Sequence, residues 1–244
     1  MNSKRVAWLT PSDPPHAFPD IATAMQEPDG LLAAGGDLSP ERLLYAYRNG
    51  IFPWYDEGQP VLWWSPDPRC VLAPADYHVS RRLQRDIAAS RFELTFNMAF
   101  ADVIAACAGP RRSGQSTWIT ADMMRAFTAL YDAGWAHSIE VRDDGELVGG
   151  VYGIAIGRVF FGESMFSARS NTSKMALLGL CRVLERHRFE LVDCQVVSGH
   201  LLTLGAKTIP RQEFRAILDA RCGDPTPFDG WPGEPVQIRD LAAG

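Results

Sequence analysis

Two turn dipeptides, Asp144-Gly145 and Gly157-Arg158, constrain this chain most, because each sits between apolar runs and can only join strands that pair side by side. The spacing predicts an antiparallel meander of three strands, about 137–142, 146–156 and 159–165. The period then changes. From Asn171 to His187 apolar residues recur three and four apart, as Met175, Leu178 and Cys181 do, which predicts a helix. A short strand over 190–196 follows it.

Successive side chains on a strand point to opposite faces. Phe161, Glu163 and Met165 should therefore share one face, Asp193 and Gln195 should share another, and Cys194 should point away from its two neighbours. Glu163, Asp193 and Gln195 are polar residues in strands that otherwise read as buried. A buried carboxylate costs free energy unless it is partnered, so such residues have either structural partners or a task. Both readings stand: one carboxylate can pair with a core arginine while Gln195 ties down a loop, or the three can form a site.

The 244 residues suggest one large domain and a small one at roughly 150 residues per domain, and 46% hydrophobic content supports a proper core. A net charge of -5 argues against coating nucleic acid or an anionic membrane through bulk charge, leaving only local basic patches for such contacts. The five cysteines are odd in number, widely spaced and without a C-x-x-C pair, which fits reduced thiols, and Cys194 reads as a small core residue. The histidines show no metal-binding spacing, so no metal is expected. Neither a secretory apolar run nor a stretch of about 18 apolar residues is evident, so a soluble, cytoplasmic protein without a membrane partner is expected.

Residues 1–38 read as loop-rich, with an edge strand near Val6 to Leu9. Ser39-Pro40 opens a helix that presents Leu43, Leu44 and Tyr47 to the core and ends at Gly50. The segments I-F-P-W-Y and V-L-W-W-S-P-D-P-R follow. Trp54, between Pro53 and a polar loop, suits partial exposure and stacking, whereas Trp63 and Trp64 can be plain packing. Ser65 to Arg69 reads as the junction between a small domain, 1–66, and a large one, 67–244. Ser80 caps a helix whose first turns carry Arg81, Arg82 and Arg85; cations there oppose the helix dipole, so the placement suits either phosphate contact or a solvated face. A strand over 91–96 and a helix over 98–107 precede the loop G-P-R-R-S-G-Q-S. Trp118 of T-W-I-T and a helix over 121–133 capped by Thr120 come next. A short helix ends at Gly205, another runs from Ile209-Pro210 to Arg221, and the Pro- and Gly-rich tail from Gly223 reads as loosely attached.

Meander, helix, strand and helix in this order resemble the N-acetyltransferase-like core. The expected fold is α+β: an N-acetyltransferase-like large domain with a central, mostly antiparallel sheet flanked by helices, plus a small N-terminal α/β domain. Where an acyl-CoA enzyme carries a glycine-rich pyrophosphate turn, this chain has Ser167-Ala168-Arg169-Ser170-Asn171-Thr172-Ser173-Lys174, so something other than CoA should be held and no cofactor is expected.

The longer phrases P-D-G-L-L-A-A-G-G-D-L-S-P-E-R-L-L-Y-A-Y-R-N-G-I-F-P-W, L-W-W-S-P-D-P-R, T-W-I, A-H-S-I-E-V, L-V-G-G-V-Y-G, F-G-E-S-M-F-S and D-C-Q closely resemble the leucyl/phenylalanyl-tRNA-protein transferase family, in its order and over nearly the whole chain. The resemblance implies transfer of Leu or Phe, less readily Met, from aminoacyl-tRNA to the N-terminal Arg or Lys of a protein, creating a degradation signal. It implies as partners the 3' acceptor ends of leucyl-tRNA and phenylalanyl-tRNA and such acceptor proteins, with the enzyme a monomer. Trp54 and Trp118 would flank the terminal adenosine. Phe160, Gly162, Met165, Leu177, Leu180 and Val192 would line the amino-acid side-chain pocket. Glu163 would contact a cationic group, Asp193 with Gln195 would handle the acceptor's α-amino group, and Arg81, Arg82 and Arg85 would meet the acceptor stem. Val151 and Arg82 depart from residues common in the family.

The donor ester is already activated, so alignment is the main demand. Proton removal is the other, since an α-amino group has a reference pKa near 7.7–8.0 and an unperturbed aspartate, near 3.9, is about four units too weak to take its proton. The expected role of Asp193 is therefore to orient the amine and Gln195, with the donor ribose hydroxyl a candidate proton relay. A CoA-dependent acetyltransferase would instead need the glycine turn and no Trp54, and a non-catalytic RNA-binding module would bind tRNA without turnover.

Overall fold

The computed structural model describes residues 6–109 and 117–242, so the arginines of the G-P-R-R-S-G-Q-S loop lie outside the described residues. In chain order the elements are β1 (Ala7–Leu9), β2 (Leu31–Gly35), α1 (Pro40–Arg48), β3 (Phe52–Pro53), β4 (Leu62–Trp64), β5 (Arg69–Leu72), α2 (Arg81–Ala89), β6 (Glu93–Phe96), α3 (Phe100–Ala108), α4 (Ala121–Asp132), β7 (Ala136–Asp143), β8 (Glu146–Ile156), β9 (Val159–Ser167), α5 (Thr172–Arg186), β10 (Leu191–Gln195), α6 (Gly199–Thr203), β11 (Lys207–Ile209), α7 (Arg211–Arg221), β12 (Val236–Gln237) and α8 (Ile238–Ala242). They build two sheets, ordered β1-β2-β4-β3 and β11-β5-β10-β9-β8-β7-β6-β12. The larger sheet is antiparallel except where β10 runs parallel to β9. This is the expected α+β arrangement, a mostly antiparallel sheet between helices.

The meander forms where the turn dipeptides place it, because Asp144, Gly145 and Gly157 adopt the positive φ that such turns require. Each face of the large sheet then buries its own cluster. On one, Tyr152, Ile154, Val159 and Phe161 pack with α1, α3, α4 and the small sheet, so one continuous core spans the small sheet and this face. On the other, Phe160, Val151 and Val192 pack with α2, α5 and α8. Helix α5 buries Met175, Leu177, Leu178, Leu180 and Leu184 there, each a contribution of about 1.5–3 kcal/mol.

Ser80 and Thr120 cap their helices by accepting from Leu83 and Met123 backbone N–H groups. Ser39 sits at the cap of α1 but makes no side-chain cap bond.

Three sequence expectations change. The supposedly loop-rich start contains β2, which is apolar without alternation because it is covered on both faces. Strand β11 occupies Lys207–Ile209, so α7 begins at Arg211, with Pro210 as its N-cap. The tail is docked: β12 pairs with β6, Ile238 and Leu241 are buried, and the Phe228 ring meets His187, Phe189 and Trp231. Composition describes the freedom of the tail's backbone, but a few large apolar side chains supply the burial that holds it.

Candidate active site

Strands β9 and β10 pair only as far as Phe161 and Asp193, and beyond that point both are irregular. In β9, Gly162 faces Gly153 while Ser164 already faces Tyr152, so Glu163 is the extra residue of a β-bulge. Gly153 is required here: a Cβ would stand 2.1 Å from the Phe161 carbonyl oxygen. The extra residue inverts the alternation. Phe161 packs on the α1 side while Met165 packs beside Val151 on the α5 side, so the expectation that Phe161, Glu163 and Met165 share a face is overturned by one inserted residue.

In β10 the register shifts between Asp193 and Gln195, leaving Cys194 as the irregularity. Gln195 takes a left-handed φ of 62°, a conformation that costs a non-glycine residue of order 1 kcal/mol. Its backbone N–H is held by Asp193 Oδ1 at 2.9 Å. Cys194 consequently lines the same space as Gln195 instead of pointing away from it, a second departure from strict alternation.

The two carboxylates have different surroundings. Asp193 has no exposure and receives Arg69 Nε at 2.8 Å on Oδ1 and Nη2 at 2.7 Å on Oδ2. Arg69 is itself complete: its Nη1 donates to the Gly50 carbonyl, and its guanidinium lies between the Phe52 and Phe214 rings at 4.8 and 4.7 Å. Glu163 is half-buried and receives two neutral donors on one oxygen, Tyr47 Oη at 2.7 Å and Gln195 Nε2 at 2.8 Å, both on Oε1. Burial pushes Glu163 up to about 7, with nearby Asp193 adding to the rise, while the bonds from Tyr47 and Gln195 and the charge of Arg69 oppose it.

Two cavities meet at Glu163, Cys194 and Gln195. The first, about 140 Å³, is walled by Phe52, Pro53, Trp54, Trp118 and Val196. Trp54 is 41% exposed, its carbonyl accepts from Trp64 Nε1, and its ring tilts against that of Trp64 at 5.9 Å while also walling the cavity. The second, also about 140 Å³, is apolar, with Gly162, Met165, Leu177, Leu180 and Val192 in its wall. An apolar cavity of about 150 Å³ accommodates a benzene-sized guest, so this volume suits a branched aliphatic or an aromatic side chain. Phe160, expected among the lining, lies fully buried beneath it on the α5 side.

Sequence reasoning missed Ser164, Cys194 and Leu201 as lining residues and Tyr47 as a donor to the site; it tied Val151 to pocket depth, where it lies, and allowed a core arginine on one carboxylate without identifying Arg69 on Asp193. Tyr47 reads as a core position of α1 because its ring is one; only its hydroxyl reaches the site. Arg81, Arg82 and Arg85 are exposed on α2, which starts beside α6 because the His78 N–H donates to the Leu204 carbonyl. Asp193 and Arg69 line neither cavity, and of the residues whose groups Asp193 accepts from, only Gln195 does. Among the described residues no cluster of His, Cys, Asp and Glu could hold a metal ion, and no helix is long and apolar enough to cross a membrane.

Residues 71–219 match a family model described as leucyl/phenylalanyl-tRNA protein transferase, and residues 36–67 match the model of that family's N-terminal domain. Among curated proteins, a leucyl/phenylalanyl-tRNA--protein transferase of Aromatoleum aromaticum is 58% identical over 201 residues, 82% of this chain and 85% of the relative. One from Azoarcus sp. is 52% identical over 228 residues, 93% and 96% of the two chains. Among solved structures, a GCN5-related N-acetyltransferase from Kribbella flavida overlays 69% of this chain and 60% of its own at 12% identity, with a TM-score of 0.35.

Proposed function

The chain belongs to the leucyl/phenylalanyl-tRNA protein transferase family and is an aminoacyl-tRNA–protein transferase; from that premise we propose that it moves Leu or Phe, less readily Met, from the 3' end of aminoacyl-tRNA to the N-terminal Arg or Lys of an acceptor protein. The product would carry an N-terminal degradation signal. The observation that carries the reading is the meeting of an aromatic-walled and an apolar cavity at one polar junction, Glu163 with Gln195.

The apolar cavity takes the side chain of the transferred residue. Its aliphatic wall and Met165 adapt to Leu, Phe or Met, while it offers little to a polar guest. Trp54 and Trp118 hold the terminal adenosine by stacking, worth about 1–3 kcal/mol per base. Arg81, Arg82 and Arg85 contact acceptor-stem phosphates, a local basic patch on an otherwise acidic chain.

With the side chain in one cavity and the adenosine in the other, the ester carbonyl lies at the junction. There Gln195 and Glu163 receive the acceptor's α-amine. Asp193 keeps Gln195 in its left-handed conformation through the backbone N–H, and the two bonds from Arg69 hold the Asp193 carboxyl still. Because the ester is activated, aligning the two substrates is the main contribution, up to about 7–11 kcal/mol in favourable cases.

The test is transfer of radiolabelled leucine from leucyl-tRNA to a model protein beginning with Arg, beside the same protein beginning with Ala. Label on the Arg protein alone is the expected result. Label on neither overturns the reading.

A further inference from the structure

Three features meet on one carboxylate. Tyr47 and Gln195 both donate to Oε1 of Glu163, which leaves Oε2 without a hydrogen-bond donor among the described residues, on a side chain that lines both cavities. Tyr47 comes from α1, in the small N-terminal part of the chain, 116 residues away in sequence, and its ring is fixed at 5.3 Å from Phe161. Resting on the peptide-forming reading, we propose that Glu163 is the proton acceptor for the attacking amine, through Oε2, and that Tyr47 is the positioning residue that holds Oε1 and thereby aims Oε2 at the junction.

The other groups at the junction are each unsuited to take the proton. Asp193 has both oxygens taken by Arg69, with the Gln195 N–H on one of them. Gln195 cannot titrate. The Cys194 thiol is pushed up by its hydrogen bond with Cys70 and by burial, and on β8 the fully buried Tyr152 hydroxyl, also facing Glu163, is held protonated by burial. Glu163, pushed up to about 7, stands within about a unit of the reference α-amino pKa of 7.7–8.0, the match that general-base catalysis favours.

The step balances without a further reactant. The free amine's nitrogen bonds to the ester carbonyl carbon and passes one of its two protons to Glu163 Oε2. The ester C–O bond to the ribose breaks, and the ribose oxygen leaves as a hydroxyl carrying that proton, which returns Glu163 to its carboxylate form. One amine and one ester thus become one amide and one alcohol.

The experiment measures kcat against pH for leucine transfer to an Arg-initiated peptide, with both substrates saturating, in the wild type, Tyr47→Phe and Glu163→Gln. Tyr47→Phe keeps the ring that packs on Phe161 and removes only the donor, a bond that holds Glu163 down. Its acid limb should move about one pH unit to the alkaline side, with the rate at pH 9 preserved. Glu163→Gln keeps an acceptor for Tyr47 and should lose about 100-fold or more in kcat, with peptide KM changed little. A limb set by the peptide's own amine would not move in Tyr47→Phe, and that result overturns the proposal, as does Glu163→Gln at more than a tenth of the wild-type rate. Melting curves identify a variant that fails to fold; Glu163→Gln then carries the test alone. No transfer by the wild type would instead sink the reading of the reaction.

Discussion

Asp193 and Glu163 stand on neighbouring strands beside one junction, yet they are built for opposite purposes. Asp193 is fully buried and fully satisfied, because the bidentate Arg69 and the Gln195 N–H fill it with charge-assisted and backbone bonds. Glu163 is less buried but less satisfied, with two neutral donors on one oxygen and none on the other. Depth therefore does not by itself prepare a carboxylate for chemistry. What separates the two is whether an arginine completes the group or its burial is left partly unanswered.

Removing the arginine is the most damaging way to break that contrast. Arg69→Met leaves an unpaired charge at a site with no exposure, so unfolding free energy should drop by about 3–5 kcal/mol, read from urea denaturation. Replacing both partners, as Arg69→Met with Asp193→Leu, should recover most of the stability but not the transfer, since Gln195 then loses the group that fixes its backbone. Recovery of both would show that Asp193 positions nothing.

Trp54→Ala sharpens the contrast by leaving both carboxylates untouched. The ring is 41% exposed, so stability should change little, whereas loss of one stacking face should raise the KM for leucyl-tRNA by about 5- to 100-fold. The pH limb assigned to Glu163 should stay in place. A shifted limb would mean that the aromatic wall, not burial in the strand, governs the carboxylate.

The regular parts of this arrangement were legible in the sequence and the irregular parts were not. Turn dipeptides and a change of period gave the meander, α5 and β10, and the resemblance supplied the tryptophan pair and most of the apolar wall. The bulges at Glu163 and Cys194 left no mark in composition, although each inverts an alternation that the sequence predicts to continue. Arg69 lies 124 residues from Asp193, and nothing in S-P-D-P-R says which carboxylate it meets. The tail misled for another reason: backbone-breaking residues outnumber its few anchors, but Phe228, Trp231 and Ile238 decide where it rests.

A smaller effect follows from the apolar cavity beneath Glu163. A Cβ on Gly162 would meet the Asp193 carbonyl oxygen at 3.5 Å and Val192 at 3.6 Å, ordinary contact, so Gly162→Ala should fold normally. The added methyl takes space from the guest. Transfer of Phe should fall relative to Leu by about tenfold in kcat/KM, measured with the two aminoacyl-tRNAs in competition, because one methylene is worth about 1–3 kcal/mol in such a pocket. An unchanged ratio would place the side chain elsewhere.

The mildest test reads the same contrast as stability. Unfolded, Glu163 ionises near 4.5; folded, burial keeps its proton until about pH 7. Between those values the folded chain holds the proton that the unfolded chain has lost, so its contribution to stability falls as pH rises through this window and levels off above it. Glutamine has no such proton. Glu163→Gln should therefore gain on the wild type between pH 5 and pH 8, by about 2–4 °C in melting temperature, the shift that about 1 kcal/mol gives in a chain of this size. Asp193→Asn should show no comparable gain, since Arg69 would lose its counter-charge at a fully buried site. If the Glu163→Gln difference were flat with pH, Glu163 would already be ionised throughout, and the half-answered burial that sets it apart from Asp193 would not exist.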